Sequence, residues 1–167
     1  MNLYLLRHGP AVERGKFRGR DDSLRPLTSD GREKMRDAAR GMRVLGLSFD
    51  LILSSPYLRA HDTADLVTKI FTNRRHLKLT ELLTPEADPA ELIRYLATLP
   101  HTHSVLLVGH EPHLSTLLAR LVGARNSNPL KLRKGALCLL SVEKLRRGAC
   151  ARLEWLLTAR QLARFKG

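Results

Sequence analysis

The chain has 167 residues, 43% hydrophobic and 27% charged, a balance typical of one soluble globular domain. No stretch reaches the ~20 apolar residues that a membrane-spanning helix needs, and the apolar run Leu3–Leu6 is too short for a secretory signal. We therefore expect a single domain over residues 1–167, located in the cytoplasm. The net charge of +13 predicts attraction to anions without identifying a partner.

The positive charge is concentrated in one part of the sequence. The stretch from Arg120 to Arg147 contains eight lysine or arginine residues and one acidic residue, Glu143. Such a stretch is either a solvated face or a surface that attracts nucleic acid, phosphorylated ligands or acidic proteins. Charge alone does not choose between these interpretations.

The cysteines do not predict a metal or redox site. Cys138 and Cys150 form neither a C-x-x-C pair nor part of a zinc-ligand set. A position opposite each other across a hairpin would allow a disulfide, whereas a reducing compartment favours two free, partly buried thiols. We expect the free thiols and no metal site.

Short apolar runs alternate with longer amphipathic segments, which is typical of an α/β fold with a mostly parallel sheet. In chain order the pattern predicts a strand at Leu3–Leu6, a helix from Thr28 or Ser29 to Gly46, a strand at Leu51–Leu53, a helix after Pro56 to Phe71, a strand at Leu77–Leu79, a helix at Pro89–Leu99, a strand at Ser104–Val108, a helix from Pro112 to Val122, and a hairpin of Ala136–Val142 with Ala149–Leu156. The first helix has an apolar face that is predicted to include Leu45.

Polar side chains follow the predicted strands at the points where the strands end. Because ligands of parallel α/β sheets bind beyond the carboxyl ends of the strands, we expect these side chains to meet at one edge. The first strand leads into Arg7-His8-Gly9, the second into Ser54-Ser55-Pro56 and Arg59, the third into Glu81 and Asp88, and the fourth into Gly109-His110-Glu111.

Two histidines and two arginines at one sheet edge suit phosphoryl transfer. Arginine donates hydrogen bonds in pairs and keeps its charge, so it stabilises the negative oxygens of a transferring phosphoryl group. The predicted helices near Pro56 and Pro112 begin at the same edge, and their free N–H groups favour an anion. A neutral imidazole nitrogen can attack phosphorus and form a phosphohistidine that water then hydrolyses.

Several segments, in matching order and spacing, resemble the signatures of the histidine phosphatase superfamily. Arg7-His8-Gly9 resembles its RHG motif. The run from Ser54 to Ala60 with Thr63-Ala64 resembles its SSP segment, and Val108-Gly109-His110-Glu111-Pro112 resembles its VGHEP segment. Arg25-Pro26-Leu27-Thr28 and the run from Leu83 to Pro89 resemble the SixA-type phosphohistidine phosphatases within that superfamily.

This resemblance implies a fold, a chemistry and a set of site residues. The fold would be phosphoglycerate-mutase-like, with three layers, a central mostly parallel sheet flanked by helices, and an antiparallel strand toward the C-terminus. No metal or organic cofactor would be needed. The implied site residues are His8 as the nucleophile, Arg7, Arg59 and His110 as the phosphate pocket, and Gly9 and Ser55 as further contacts to substrate.

The resemblance leaves the general acid open. Larger members of the superfamily place a glutamate near the position of Glu81, whereas Asp88 matches the acid of the short branch. Each of these two carboxylates has an alternative role at the surface or as a helix cap. Pro10, Ala11 and Val12 stand where the mutase and bisphosphatase types carry Glu and Asn, which argues against mutase activity.

Three functions compete on this sequence. A phosphohistidine protein phosphatase needs an open site, which the small number of insertions favours. A phosphatase of small phosphomonoesters would be favoured by a covering insertion, and only the short loop Arg14–Asp22 is present. A binding module for nucleic acid or an acidic partner has no need for histidines and arginines at strand ends. We expect the first function, with a phosphorylated protein or metabolite as substrate, no membrane or nucleic-acid partner, and a monomeric chain.

Overall fold

A six-stranded sheet forms the centre of the computed structural model, which describes residues 1–19, 21–71, 77–99, 103–127, 130–146 and 148–166. In this part of the chain the strand order is β3-β2-β4-β1-β5-β6. The first four strands run parallel to their neighbours, β5 is antiparallel to β1, and β6 is antiparallel to β5. The strands are β1 (Asn2–Arg7), β2 (Leu51–Ser54), β3 (Leu77–Leu79), β4 (Ser104–Gly109), β5 (Leu137–Val142) and β6 (Ala151–Leu157).

Helices cover both faces of the sheet, so the fold has three layers. One apolar cluster joins the sheet to α1, α2 and α5, and a second joins it to α3 and α4. This arrangement confirms the predicted fold class, including the antiparallel pairing toward the C-terminus. The helices are α1 (Ser29–Val44), α2 (Leu58–Phe71), α3 (Pro89–Ala97), α4 (His113–Val122) and α5 (Ala159–Ala163).

The helix boundaries follow from local capping chemistry. The Thr28 hydroxyl accepts the Gly31 N–H at 2.9 Å and begins α1. Gly46 lies just beyond the end of α1 with a φ of 71°, which glycine adopts without a steric cost. Leu45 is 37% exposed rather than buried, because α1 ends one residue before it.

Further details differ from the sequence-based predictions. The helix predicted to end at Leu99 ends at Ala97, and the one predicted to begin at Pro112 begins at His113, with Pro112 as its cap. The short helix α5 was not predicted; Thr158 and Gln161 begin it with a reciprocal capping box. Cys138 is fully buried rather than partly buried.

Both cysteines are free, as predicted. Cys138 pairs in register with Leu156, and Cys150 precedes β6, so the two thiols do not face each other across the hairpin. Burial raises the pKa of the Cys138 thiol to about 12, which keeps it protonated. Within the described ranges, no helix has the length and apolar content required to cross a membrane.

Candidate active site

The carboxyl ends of β1, β2 and β4 bring four of the predicted site residues together. His8 follows β1, Ser55 follows β2, His110 follows β4, and Arg59 is the second residue of α2. The His8 and His110 rings lie 5.1 Å apart between centroids, and the Ser55 Oγ is 2.9 Å from His110 Nε2. All four side chains are buried, with His8 the most exposed at 5%. The predicted convergence of strand ends is therefore confirmed for this set.

Main-chain contacts fix the orientation of His8. Its backbone N–H donates to the Gly109 carbonyl at 3.0 Å, and its Nδ1 lies 2.7 Å from the Gly9 carbonyl oxygen. Because a carbonyl only accepts hydrogen bonds, the neutral ring carries its proton on Nδ1. The Nε2 atom is then left with a free electron pair.

Gly9 has a packing reason to be glycine. A Cβ atom at this position would lie 2.4 Å from the Cγ of Met35 on α1. The Gly9 N–H donates to Thr63 Oγ1 at 3.0 Å, and the Thr63 hydroxyl donates to the Arg59 carbonyl at 2.7 Å. The loop after β1 is thereby fastened to α2. Gly9 thus holds His8 in place through its carbonyl, while its N–H is already engaged.

Both histidines are held neutral by their surroundings. Burial lowers the pKa of His8 to about 3; the hydrogen bond to Gly9 opposes this shift, and the charges of Arg59, Arg7 and Lys134 add to it. Burial lowers the pKa of His110 to about 2, with smaller contributions from His8 and Arg59. At neutral pH the site contains two uncharged imidazoles beside two permanently charged guanidinium groups.

The two arginines present donors that no protein group satisfies. The Nε atoms of Arg7 and Arg59 and the Nδ1 of His110 are buried and have no hydrogen-bond partner in the described part of the chain. An unpaired buried polar group costs about 1–3 kcal/mol. A cluster of such groups with net positive charge favours an anion as ligand.

Asp22 anchors Arg59, a relationship that the sequence did not reveal. Arg59 donates from Nη1 to the Asp22 carbonyl at 2.8 Å, and its Nη2 lies 3.1 Å from Asp22 Oδ2. Asp22 Oδ1 accepts from Arg25 Nε at 2.9 Å and from Arg14 Nε at 3.2 Å. Burial tends to raise the pKa of Asp22, but the hydrogen bonds from Arg14 and Arg25 and the charge of Arg59 outweigh it and hold the pKa well below its usual range.

A second carboxylate, Glu111, supports Arg7 through the backbone of Leu132. Arg7 Nη1 donates to the Leu132 carbonyl at 2.7 Å, and the Leu132 N–H donates to Glu111 Oε1 at 3.1 Å. The Ser115 hydroxyl donates to Glu111 Oε2 at 2.5 Å. Glu111 therefore positions the segment that holds Arg7.

Neither predicted acid is in hydrogen-bond contact with His8 or His110 in the described ranges. Glu81 is exposed at the start of a 3-10 turn, Glu81–Leu83. Asp88 caps α3 by accepting the Ala90 N–H at 3.0 Å, and it pairs with Arg120 at 2.8 Å. The capping alternative for Asp88 is thus the one its geometry supports.

A carboxylate that the sequence did not single out contacts Tyr57, which lies beside His110. The Tyr57 hydroxyl donates to Glu86 Oε2 at 3.4 Å. The Tyr57 ring lies 5.2 Å from the His110 ring and 5.1 Å from the Arg59 guanidinium carbon. Tyr57 lies inside the SSP segment, so its position was foreseeable, whereas Glu86 reaches it from a different loop.

The described residues contain no group of three or more His, Cys, Asp or Glu side chains arranged to hold a metal ion. The positive charge of the site comes instead from Arg7 and Arg59. This donor set favours binding of an oxyanion rather than of a cation.

Comparison with known proteins identifies the family. The model of the histidine phosphatase superfamily (branch 1) matches residues 3–83. Phosphohistidine phosphatase SixA of Escherichia coli K12 is 30% identical over 123 residues, which cover 72% of this chain and 74% of SixA. The chain belongs to the histidine phosphatase superfamily.

Two further known proteins are similar to this chain over most of its length. An uncharacterized protein of Picosynechococcus sp. is 30% identical over 139 residues, 82% of each chain. The solved structure of the protein histidine phosphatase SixA complexed with tungstate superimposes with a TM-score of 0.85 at 25% identity, covering 97% of this chain and 99% of that one. The SixA-type resemblance and the hydrolase class predicted from the sequence are confirmed.

Proposed function

We propose that this histidine phosphatase hydrolyses phosphohistidine in a protein substrate and that His8 carries the phosphoryl group between the two half-reactions. The observation that carries the proposal is the 2.7 Å contact of His8 Nδ1 with the Gly9 carbonyl, which leaves Nε2 free to attack. The SixA relatives of Escherichia coli and Haemophilus influenzae, named as phosphohistidine phosphatases, support the choice of substrate.

The first half-reaction moves the phosphoryl group to His8. Its Nε2 electron pair attacks phosphorus while the P–N bond to the substrate imidazole breaks. The substrate imidazole takes one proton from solvent on its unphosphorylated nitrogen, so the ring is neutral when it leaves with the electron pair of the broken P–N bond. Because Nδ1 of His8 keeps its hydrogen bond to Gly9, the phosphorylated ring is an imidazolium and therefore a good leaving group for the second step.

The second half-reaction releases phosphate. Water attacks phosphorus, and the bond to Nε2 breaks with its electron pair returned to His8. Phosphate leaves with both protons of the water and then ionises in solvent. The His8 ring is again neutral, with its proton on Nδ1.

The remaining site residues act on the charge of the phosphoryl oxygens. Arg7, Arg59 and His110 donate to these oxygens from positions that are fixed before the substrate arrives. Ser55 holds the His110 ring at 2.9 Å, and Asp22 holds Arg59. We assign the acid step to no protein carboxylate, because a phosphoramidate expels its imidazole more easily than a phosphomonoester expels an alkoxide.

The test of the nucleophile compares wild type with His8→Ala in EDTA, on p-nitrophenyl phosphate and on a histidine-phosphorylated protein. We expect the wild type to prefer the phosphoprotein and the variant to be inactive on both substrates. Equal activity of the two proteins would contradict the role of His8. The cytoplasmic location, the monomeric state and the single domain stay predictions.

The leaving-group argument has its own test. We expect fast hydrolysis of a phosphohistidine peptide beside slow hydrolysis of an alkyl phosphate by the same wild-type enzyme. Glu81→Gln and Asp88→Asn should leave the phosphohistidine rate within about threefold of wild type, since surface substitutions away from a site have small effects. Faster turnover of the alkyl phosphate, or a large loss in either variant, would show that a dedicated acid operates.

A further inference from the structure

One wall of the active site is a short basic segment attached to the proposed catalytic residues. The Leu132 carbonyl accepts from Arg7 Nη1 at 2.7 Å. The Gly135 N–H donates to the carbonyls of Arg7 and His8, each at 3.1 Å. These contacts fix the segment Lys131–Lys134, which we call the basic wall, against the residues that follow β1.

The basic wall has one buried side chain among exposed ones. Leu132 is 1% exposed, and the neighbouring Gly135 is also buried. Lys131, Arg133 and Lys134 are exposed. The segment thus packs into the protein through its apolar residue and presents three cations to solvent.

These three cations are not neutralised by the protein. Within the described ranges, none of them forms an ion pair with a carboxylate. The nearby carboxylates are already engaged: Glu13 pairs with Lys16 at 2.9 Å, and Glu111 accepts the Leu132 N–H. The positive charge of the basic wall is therefore available to a ligand.

Lys134 is close enough to the site to act on it. Its charge contributes to the lowered pKa of His8, behind burial and the charges of Arg59 and Arg7, and also to the lowered pKa of Glu13, behind that of Lys16. The charge of Lys134 thus acts on both His8 and Glu13, which places this lysine near the site.

We propose that the basic wall binds acidic side chains of the phosphoprotein substrate next to its phosphorylated histidine. This inference rests on the proposed function, since the wall is useful only to a substrate that also places a phosphoryl group on His8. The phosphoryl oxygens are bound by Arg7, Arg59 and His110 inside the site, so the cations outside it are left for further anionic groups of the same molecule.

An acidic protein surface fits the basic wall better than nucleic acid does. Single-stranded nucleic acid is held by basic grooves in which aromatic side chains stack on the bases. Residues 130–134 contain only leucine, lysine and arginine, with no aromatic side chain. The wall offers cations without an aromatic stacking surface, which suits carboxylates better than bases.

The hairpin of β5 and β6 provides a control surface of equal charge, at the end of the sheet where β1 begins. Lys144, Arg146 and Arg152 are exposed, and Ser141, just before them, pairs with Asn2 at the start of β1. His8 follows the other end of β1. Reversing three charges at either place changes the net charge equally, but only one of the two places adjoins the site.

The experiment uses two phosphohistidine peptides that differ only in flanking residues, glutamates in one and glutamines in the other. We expect wild type to hydrolyse the acidic peptide with a kcat/KM about tenfold higher at low salt, through electrostatic attraction, and to lose this preference as salt rises. The variant Lys131→Glu/Arg133→Glu/Lys134→Glu should lose the preference. The variant Lys144→Glu/Arg146→Glu/Arg152→Glu should keep it.

Each contrary result is informative. Equal kcat/KM for the two peptides in wild type would overturn the docking role while leaving the proposed function intact, and this comparison does not depend on a variant that folds. Loss of the preference in both triple variants would overturn it too, because net charge would then be the cause. Tighter competition by an oligonucleotide than by the acidic peptide would assign the wall to nucleic acid. Hydrolysis of neither peptide would overturn the proposed function together with the docking role.

Discussion

The Nδ1 atom of His8 lies 2.7 Å from the carbonyl oxygen of Gly9, the next residue in the chain. This contact fixes the proton on one ring nitrogen and exposes the electron pair of the other. The loop that supplies the carbonyl is itself held by Thr63 of α2. The orientation of the proposed nucleophile is therefore built into the backbone that follows β1.

His8 should stay neutral over the pH range of ordinary assays. An unperturbed histidine has a pKa of about 6.5, whereas burial, with the charges of Arg59 and Arg7, lowers that of His8 to about 3. Imidazole 15N chemical shifts, assigned with His8→Asn, should show a protonated Nδ1 and an unprotonated Nε2 without titration between pH 5 and pH 8. A midpoint near the unperturbed value would contradict this account.

Asp22→Asn should weaken the phosphate site by releasing Arg59. The substitution removes the charge that faces three arginines, and a charge-assisted hydrogen bond contributes about 1.5–3 kcal/mol. We expect kcat/KM on p-nitrophenyl phosphate to fall about tenfold, which corresponds to about 1.4 kcal/mol. Asp30→Asn, in the exposed pair with Lys34, is the matched control and should retain activity. A gain in activity by Asp22→Asn would mean that the carboxylate competes with phosphate for Arg59.

Glu111→Ala should affect catalysis through Arg7. Without the carboxylate, the Leu132 N–H loses its acceptor, and the carbonyl that holds Arg7 is no longer fixed. We expect kcat/KM to fall about tenfold, the equivalent of one lost hydrogen bond. Glu111→Gln, which keeps an oxygen for the Leu132 N–H, should recover most of the activity, and Glu91→Ala on the exposed face of α3 should have no effect. Wild-type kcat/KM in Glu111→Ala would rule out this positioning role.

His113 should make the protein sensitive to acid. Its side chain is 2% exposed, and neither ring nitrogen has a hydrogen-bond partner in the described ranges. Burial, with the charge of Arg120, lowers its pKa to about 4, while Asp88 opposes the shift. Between about pH 6.5 and pH 4 the unfolded chain therefore binds a proton that the folded chain does not, so the free energy of unfolding falls as the pH falls.

The variant His113→Leu tests this account by urea unfolding at several pH values. It should raise the free energy of unfolding at pH 7 by about 1–3 kcal/mol, because an unpaired polar group is removed from the interior. The substitution should also make the free energy of unfolding depend less steeply on pH between pH 6 and pH 4, by up to about 1.4 kcal/mol per pH unit. His103→Leu, on an exposed side chain, is the control. An unchanged slope would mean that His113 is protonated in the folded protein.

Much of the fold and the centre of the site were predictable because their signals are local. The apolar runs of β1 and β4 and the residues that follow them specify where His8 and His110 lie, since parallel strands end at one edge. The contacts of Asp22 with Arg59 and of Glu111 with Leu132 join residues far apart in sequence, and no local pattern encodes them. The five-residue helix α5 is too short for its periodicity to be recognised.

The central claim is tested most directly by trapping the phosphorylated enzyme. Wild type and His8→Asn are mixed with a 32P-labelled phosphohistidine peptide in EDTA, quenched with alkali within milliseconds, and digested for mass spectrometry. The account predicts an alkali-stable, acid-labile label on His8 in wild type, none in the variant, and decay of the label at the rate of phosphate release. A label on another residue, or full turnover by His8→Asn, would contradict it.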